Sequence, residues 1–243
     1  MIRDALAPLL ALADVSEAID SARAAADAAF AHRALRRGTA RGDRIAAEVT
    51  LQNAVASAAL EGSKWDAEGV RAGTVTDPVL QGALRVSAET TALARRWLTA
   101  PPQVLTRLHI LAARGVVADL GRPAPSGGTA RLLALSSVLN SSAPALLRSA
   151  VVHGELLALR AFEGPNGVVA RAGGRLTLIA AGFDPRGLLP VDVGHLDREP
   201  EYLGASGAFA TGTPDGLRSW NKHCVLAVTA AAGALSRICD EVA

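Results

Sequence analysis

Apolar residues recur along this chain mostly at helical spacing, broken by short clusters of Gly, Pro and Asp. Asp14 with Glu17 forms a capping-box start, and Val15, Ile19, Ala22, Ala26 and Phe30 follow as one stripe. Arg36-Arg37 before Gly38 predicts the end of that helix, with cations on the last carbonyls and glycine beyond. A second helix is predicted from about Asp43 to Gly62, with Ile45, Val49, Ala56 and Leu60 inward. Asp77-Pro78 opens a third that must stop by Pro101-Pro102, and Gln103 to Leu120 forms a fourth, closed by Gly121. The clearest loop is Arg122 to Gly128. Helices near 130–139 and 145–159 follow, then a loop at 160–165 and a helix from Asn166 to Ala181, ended by Gly182. Asp184-Pro185 opens an irregular stretch, and helices from Pro200 to about Ala210 and from Pro214 onward complete the chain. No alternating strand pattern and no internal repeat occurs. The expected architecture is all-α, one domain over 1–243.

Composition supports this. Fifty-one of 243 residues are alanine and only 3% are aromatic, which favours helices and starves sheets. The longest uncharged run, Leu132–Leu147, carries Asn140, four serines and Pro144, so no membrane span is expected. Net charge is +2, and 23 of the 25 basic residues are arginine, which with the alanine excess suggests a GC-rich bacterial genome. The bases are scattered without interleaved aromatics, so no nucleic-acid partner is expected. MIRDALAPLL has an acid within it and no small-residue cleavage site after it, giving a cytoplasmic expectation. Cys224 and Cys239 lie 15 residues apart on one predicted helix, too far to bridge, and read as buried thiols.

Several chemistries are excluded. The two lysines, Lys64 and Lys222, stand outside any Gly-Lys-Ser/Thr pattern, and no dinucleotide-binding glycine motif follows a strand. No CxxC or HExxH spacing occurs. Gly204-Ala-Ser206-Gly-Ala208 lacks the second glycine of a nucleophile elbow and has no strand before it.

The informative segment runs from His153 to Arg171. A helix feeds a tight Gly/Pro-rich loop, and Asn166-Gly167 opens the next helix, which carries Arg171 one turn in. Two readings stand: a plain turn between packed helices, or an anion cradle in which free N–H groups and the positive helix end meet a guanidinium.

The order of these parts resembles the Fic/Doc (Fido) family of AMP- and phosphate-transferring enzymes, whose loop reads HPFx(D/E)GN(G/K)RxxR. Phe162, Asn166, Gly167 and Arg171 fall on that pattern, and His153 falls where the family often has a second histidine. Upstream, His109 with Gly121-Arg122-Pro123 is similar to the family's helix and Gly-Arg segment; downstream, Arg175 to Pro185 resembles its Leu-rich continuation. Ser57-Ala-Ala-Leu-Glu61-Gly62 fits the family's (S/T)xxxE(G/N) inhibitory helix. The resemblance implies N-terminal helices including that inhibitory helix over 1–62, a Fic-like core over 77–190 and C-terminal helices over 200–243.

The departures bear on function. Arg160 stands at the catalytic histidine position, Gly164 replaces the acid that holds magnesium, Pro165 replaces a glycine and Val168 replaces the first arginine. Arginine is no general base near neutral pH. The resemblance therefore implies a degenerate site that binds a nucleotide such as ATP, or another phosphate group, through Asn166, Gly167, Arg171 and Arg160. Efficient AMP transfer is not expected, and the lost acid speaks against magnesium. Glu163, one position early, is the remaining metal candidate. Ser57, Glu61 and Gly62 would be inhibitory, with Glu61 meeting Arg171. The alternatives are a transferase whose base is His153, Glu155 or His195, or a ligand-free module that binds a protein target or a second copy. The segment after Gly121 is too short and Gly-rich for the family's target-docking hairpin. His153 and His109 also have a purely structural reading, as packed helix residues.

Overall fold

The computed structural model describes residues 13–36, 38–123 and 128–242. Among them run eleven α-helices and no strand, only an isolated bridge between Arg114 and Val117. They are α1 (Ala13–Phe30), α2 (Ala40–Ala59), α3 (Ala67–Arg71), α4 (Pro78–Trp97), α5 (Pro101–Ala113), α6 (Gly128–Leu139), α7 (Ala145–Leu159), α8 (Asn166–Ala180), α9 (Val191–Leu196), α10 (Glu199–Ala210) and α11 (Pro214–Glu241). The all-α expectation is met, and no helix of the described residues is long and apolar enough to cross a membrane.

Local chemistry sets most boundaries. The Asp77 carboxylate accepts from the Leu80 N–H at 2.9 Å with Pro78 in the first turn, as Asp77-Pro78 predicts. Thr39 caps α2 by accepting from Gly42, so this helix starts three residues before Asp43 and ends at Ala59. Three further boundaries depart from the sequence reading. α1 stops at Phe30, and a single 3₁₀ turn at Arg33–Leu35, capped by His32, takes the place of its predicted last turn. α1 is already helical at Ala13, before the start read at Asp14, and Arg37 of the expected ending lies outside the described residues. α5 ends at Ala113 rather than near Leu120, because Arg85 of α4 binds the Leu111 and Arg114 carbonyls and terminates the ladder there. The glycine-rich loop expected at 122–128 is described only at its ends.

Two large apolar clusters flank α8. One gathers Val15, Ile19 and Ile45 with Leu146, Leu178 and the Val225–Ile238 face of α11. The other gathers Leu80, Val86, Trp97, Leu105 and Leu108 with Leu135, Phe162 and Leu176. A third, smaller one joins Tyr202, Phe209, Trp220 and Cys224. α8 is buried without interruption from Asn166 to Leu178, so it is the central post of the fold. Both cysteines are free and buried, and burial pushes the Cys224 thiol well up.

Candidate functional site

The loop between α7 and α8 is held from three directions. Arg160 closes α7 in the left-handed region (φ 43°, ψ 49°), turning the chain sharply toward α8. Asn166 then folds the loop on itself: its Oδ1 accepts from the Phe162 N–H at 3.0 Å, while its Nδ2 donates to the Phe162 carbonyl at 2.6 Å and the Gly164 carbonyl at 3.1 Å. His109 clamps the loop from α5. Its Nδ1 accepts from the Gly121 N–H at 2.9 Å, which makes Nε2 the protonated nitrogen donating to the Glu163 carbonyl at 2.8 Å. The neutral ring stacks on Phe162 with centroids 4.6 Å apart, and burial lowers its pKa.

α8 begins at Asn166, after Pro165 at the N-cap position, without any side-chain cap and with no acid of its own in the first turn, so the N–H groups of Gly167 and Val168 lie at a positive helix end. An acid arrives from the C-terminal end of α2 instead. Glu61 Oε1 lies 2.9 Å from Arg171 Nη2, bringing together the two residues whose motifs predict that they meet. A Cβ on residue 167 would come within 1.9 Å of the same oxygen, so only glycine admits the carboxylate there.

Arg171 is 2% exposed and nearly saturated. Besides Glu61, its Nε donates to the Ser57 hydroxyl at 2.9 Å, Nη2 to the Ser57 carbonyl at 2.8 Å and Nη1 to the Tyr202 hydroxyl at 3.1 Å. Burial works against its charge, but Tyr202, Glu61 and Asp192 outweigh it and hold the guanidinium's pKa above the ordinary value. Burial likewise pushes the Tyr202 hydroxyl up to about 12, although Arg171 beside it pulls the other way.

These residues line a cleft of about 310 Å³. Glu61, Arg160, Asn166, Gly167 and Arg171 form one side; Leu203, Ser206, Gly207 and Ala210 of α10 form the other, with Leu60 and Leu157 at the edges. Arg160 is exposed and its guanidinium has no partner among the described residues. Ser206 donates to the Leu203 carbonyl within α10, an ordinary helix contact rather than an activated nucleophile.

Several sequence assignments are revised by position. Asn166 lines the cleft but spends its side chain inside the loop, and its N–H donates to the Gly164 carbonyl, so it shapes the cradle rather than offering a donor. Gly62 lies in the turn after α2, outside the cleft lining. His153 is buried beneath the cleft with Nε2 3.2 Å from the Tyr202 hydroxyl, and its pKa is well below normal, chiefly from burial and then from Arg171. His195 is equally buried and pairs through Nδ1 with His223 Nε2 at 2.9 Å. Glu155 faces α6, where it binds Arg131 at 2.7 Å. None of the three lines the cleft, so none reaches a proton there. Glu163 is exposed and also off the cleft. With Gly164 at the position of the usual acid, the residues present do not fit a magnesium ion.

Tyr202, which lines the cleft and accepts from Arg171, is the cleft residue that motif reasoning misses. The signal is that it is the only tyrosine in the chain.

No family model and no curated protein sequence matches the chain. Among solved structures, a Fic family protein from Desulfovibrio desulfuricans superposes with a TM-score of 0.68 at 21% identity, covering 92% of this chain and 73% of that one. Residues 134–508 of Fic-1 from C. elegans superpose with a TM-score of 0.63 at 17% identity, covering 95% and 75%. The chain has the all-α fold of these Fic proteins.

Proposed function

We propose that a chain with the Fic fold and this cleft binds a phosphate-bearing ligand, with a nucleotide such as ATP as the leading class, and does not transfer AMP efficiently. The observation that carries the reading is the position of Glu61. A carboxylate already sits on Arg171 and against Gly167, at an uncapped helix start. A place that takes one oxyanion suits another, because the same guanidinium and the same positive helix end attract both. Arg160, unpaired at the mouth of the cleft, supplies a second cation for a polyphosphate. On this reading Glu61 is an internal inhibitor that a ligand phosphate displaces.

Transfer would need a base near the attacking hydroxyl. Of the titratable residues lining the cleft, Glu61 is engaged by Arg171, Tyr202 is held near 12, and the two arginines stay charged. The test is calorimetric titration of ATP, with and without magnesium, into the native chain and Glu61→Gly. Tighter binding to Glu61→Gly, insensitive to magnesium, supports the reading. Absence of binding to both proteins overturns it in favour of a ligand-free interaction module.

A further inference from the structure

Behind α10 lies a second cleft, of about 410 Å³, between that helix and α11. Its walls carry Arg198 and Glu201 on one side and Ser219, Lys222 and His223 on the other, with Ala205 and Leu226 as apolar surface. We propose that this cleft is a separate binding site for a small organic monocarboxylate, held by Lys222 and the His223 imidazole.

Three observations converge. First, His223 is 3% exposed, lines the cleft, and has its Nε2 engaged by His195 Nδ1 at 2.9 Å, while its Nδ1 has no hydrogen-bond partner among the described residues. A buried ring nitrogen without a partner is costly, and a bound acceptor or donor relieves that cost. Second, the charges do not cancel. Arg198 grips Glu201 through both nitrogens, Nε to Oε2 at 2.9 Å and Nη2 to Oε1 at 2.8 Å, so that pair is closed on itself. Lys222 has no ion-pair partner among the described residues and remains the uncompensated cation of the cleft. One net positive charge matches one carboxylate better than a multiply charged phosphate. Third, the volume far exceeds that of a water molecule, and Ala205 and Leu226 offer surface for a short apolar body. A carboxylate accepting from the Lys222 ammonium and from a His223 Nδ1–H meets all three conditions, with His223 Nε2 then accepting from His195 Nδ1–H.

The site does not depend on the phosphate cleft, from which Tyr202 and the histidine pair separate it. The experiment follows the His223 ring signals of the full chain by NMR during titration with butyrate, butyramide and inorganic phosphate. The expected result is a saturable shift of His223 with butyrate alone. Lys222→Ala, a change at an exposed side chain, should weaken butyrate about tenfold. Arg160→Ala should leave butyrate binding unchanged. The proposal is overturned if butyrate gives no saturable shift, if butyramide or phosphate matches it, if Lys222→Ala has no effect, or if Arg160→Ala abolishes the shift.

Discussion

Glu61 Oε1 occupies the space beside Gly167 in which any other residue would carry its first side-chain atom, at 1.9 Å from an ideal Cβ. Gly167→Ala should therefore expel the carboxylate from its seat and destabilise the native chain by about 1–3 kcal/mol. In a Glu61→Ala background the same substitution should cost less than half as much, leaving only the closer approach to Arg171 Nη1, 2.9 Å away. Urea denaturation of the four proteins in this cycle measures the coupling; additive losses would show that the two residues do not share the space.

Arg160 holds a left-handed backbone conformation that costs a non-glycine residue about 1–2 kcal/mol. Arg160→Gly relieves that strain and should keep or raise the melting temperature, while weakening ATP about tenfold through loss of the second cation. Opposite signs on stability and binding are the expected outcome. A variant that loses stability would place the side chain in the fold rather than in the site.

AMP transfer from labelled ATP should stay near background in the native chain and in Arg160→His alone. General-base catalysis is typically worth about 10²–10⁴ in rate, yet a restored base still lacks a metal oxygen at Gly164 and a guanidinium at Val168. Arg160→His with Gly164→Asp, Val168→Arg and Glu61→Gly should do better. Clear labelling by Arg160→His alone would refute the case for a non-catalytic loop.

Four histidines, His109, His153, His195 and His223, have pKa values held below normal, first by burial, with His223 pushed down to about 4. Their folded pKa values lie below the unfolded value of about 6.5, so the unfolded chain takes up protons that the folded chain refuses. Stability is thus complete above about pH 6.5 and falls as the pH drops from there toward 4, by up to about 1.4 kcal/mol per unit for each such histidine. Chemical denaturation between pH 7 and pH 5 measures the slope, and His223→Gln should reduce it by up to one histidine's share.

The sequence makes legible those features whose causes are local. Asp77-Pro78, Pro214 and Gly182 mark helix limits because a cap, a fixed φ or a left-handed turn acts within a few residues. The end of α5 escapes it because the terminating group is Arg85, more than twenty residues earlier on another helix. The short α3 buries none of its residues and so leaves no apolar stripe. In the site, Glu61 and Arg171 can be paired from two motifs in order. The role of Asn166 cannot, because a signature residue reads alike whether its amide faces a ligand or its own loop. His195, Tyr202 and His223 meet only through the packing of α9, α10 and α11, and no spacing in the sequence encodes that meeting.

Of the bonds that fix the Arg171 guanidinium, three come from Ser57 and Tyr202 and one from Glu61. When the carboxylate swings away, the guanidinium stays where it is. On the proposed reading the gate of this cleft is accordingly one exposed side chain, and rotations of exposed side chains belong to the picosecond-to-nanosecond range rather than to the microseconds and milliseconds of moving domains. Ligand capture should follow one exponential whose rate rises linearly with concentration. The arginine's rotamer entropy is already lost on folding, so none of it is charged to the encounter.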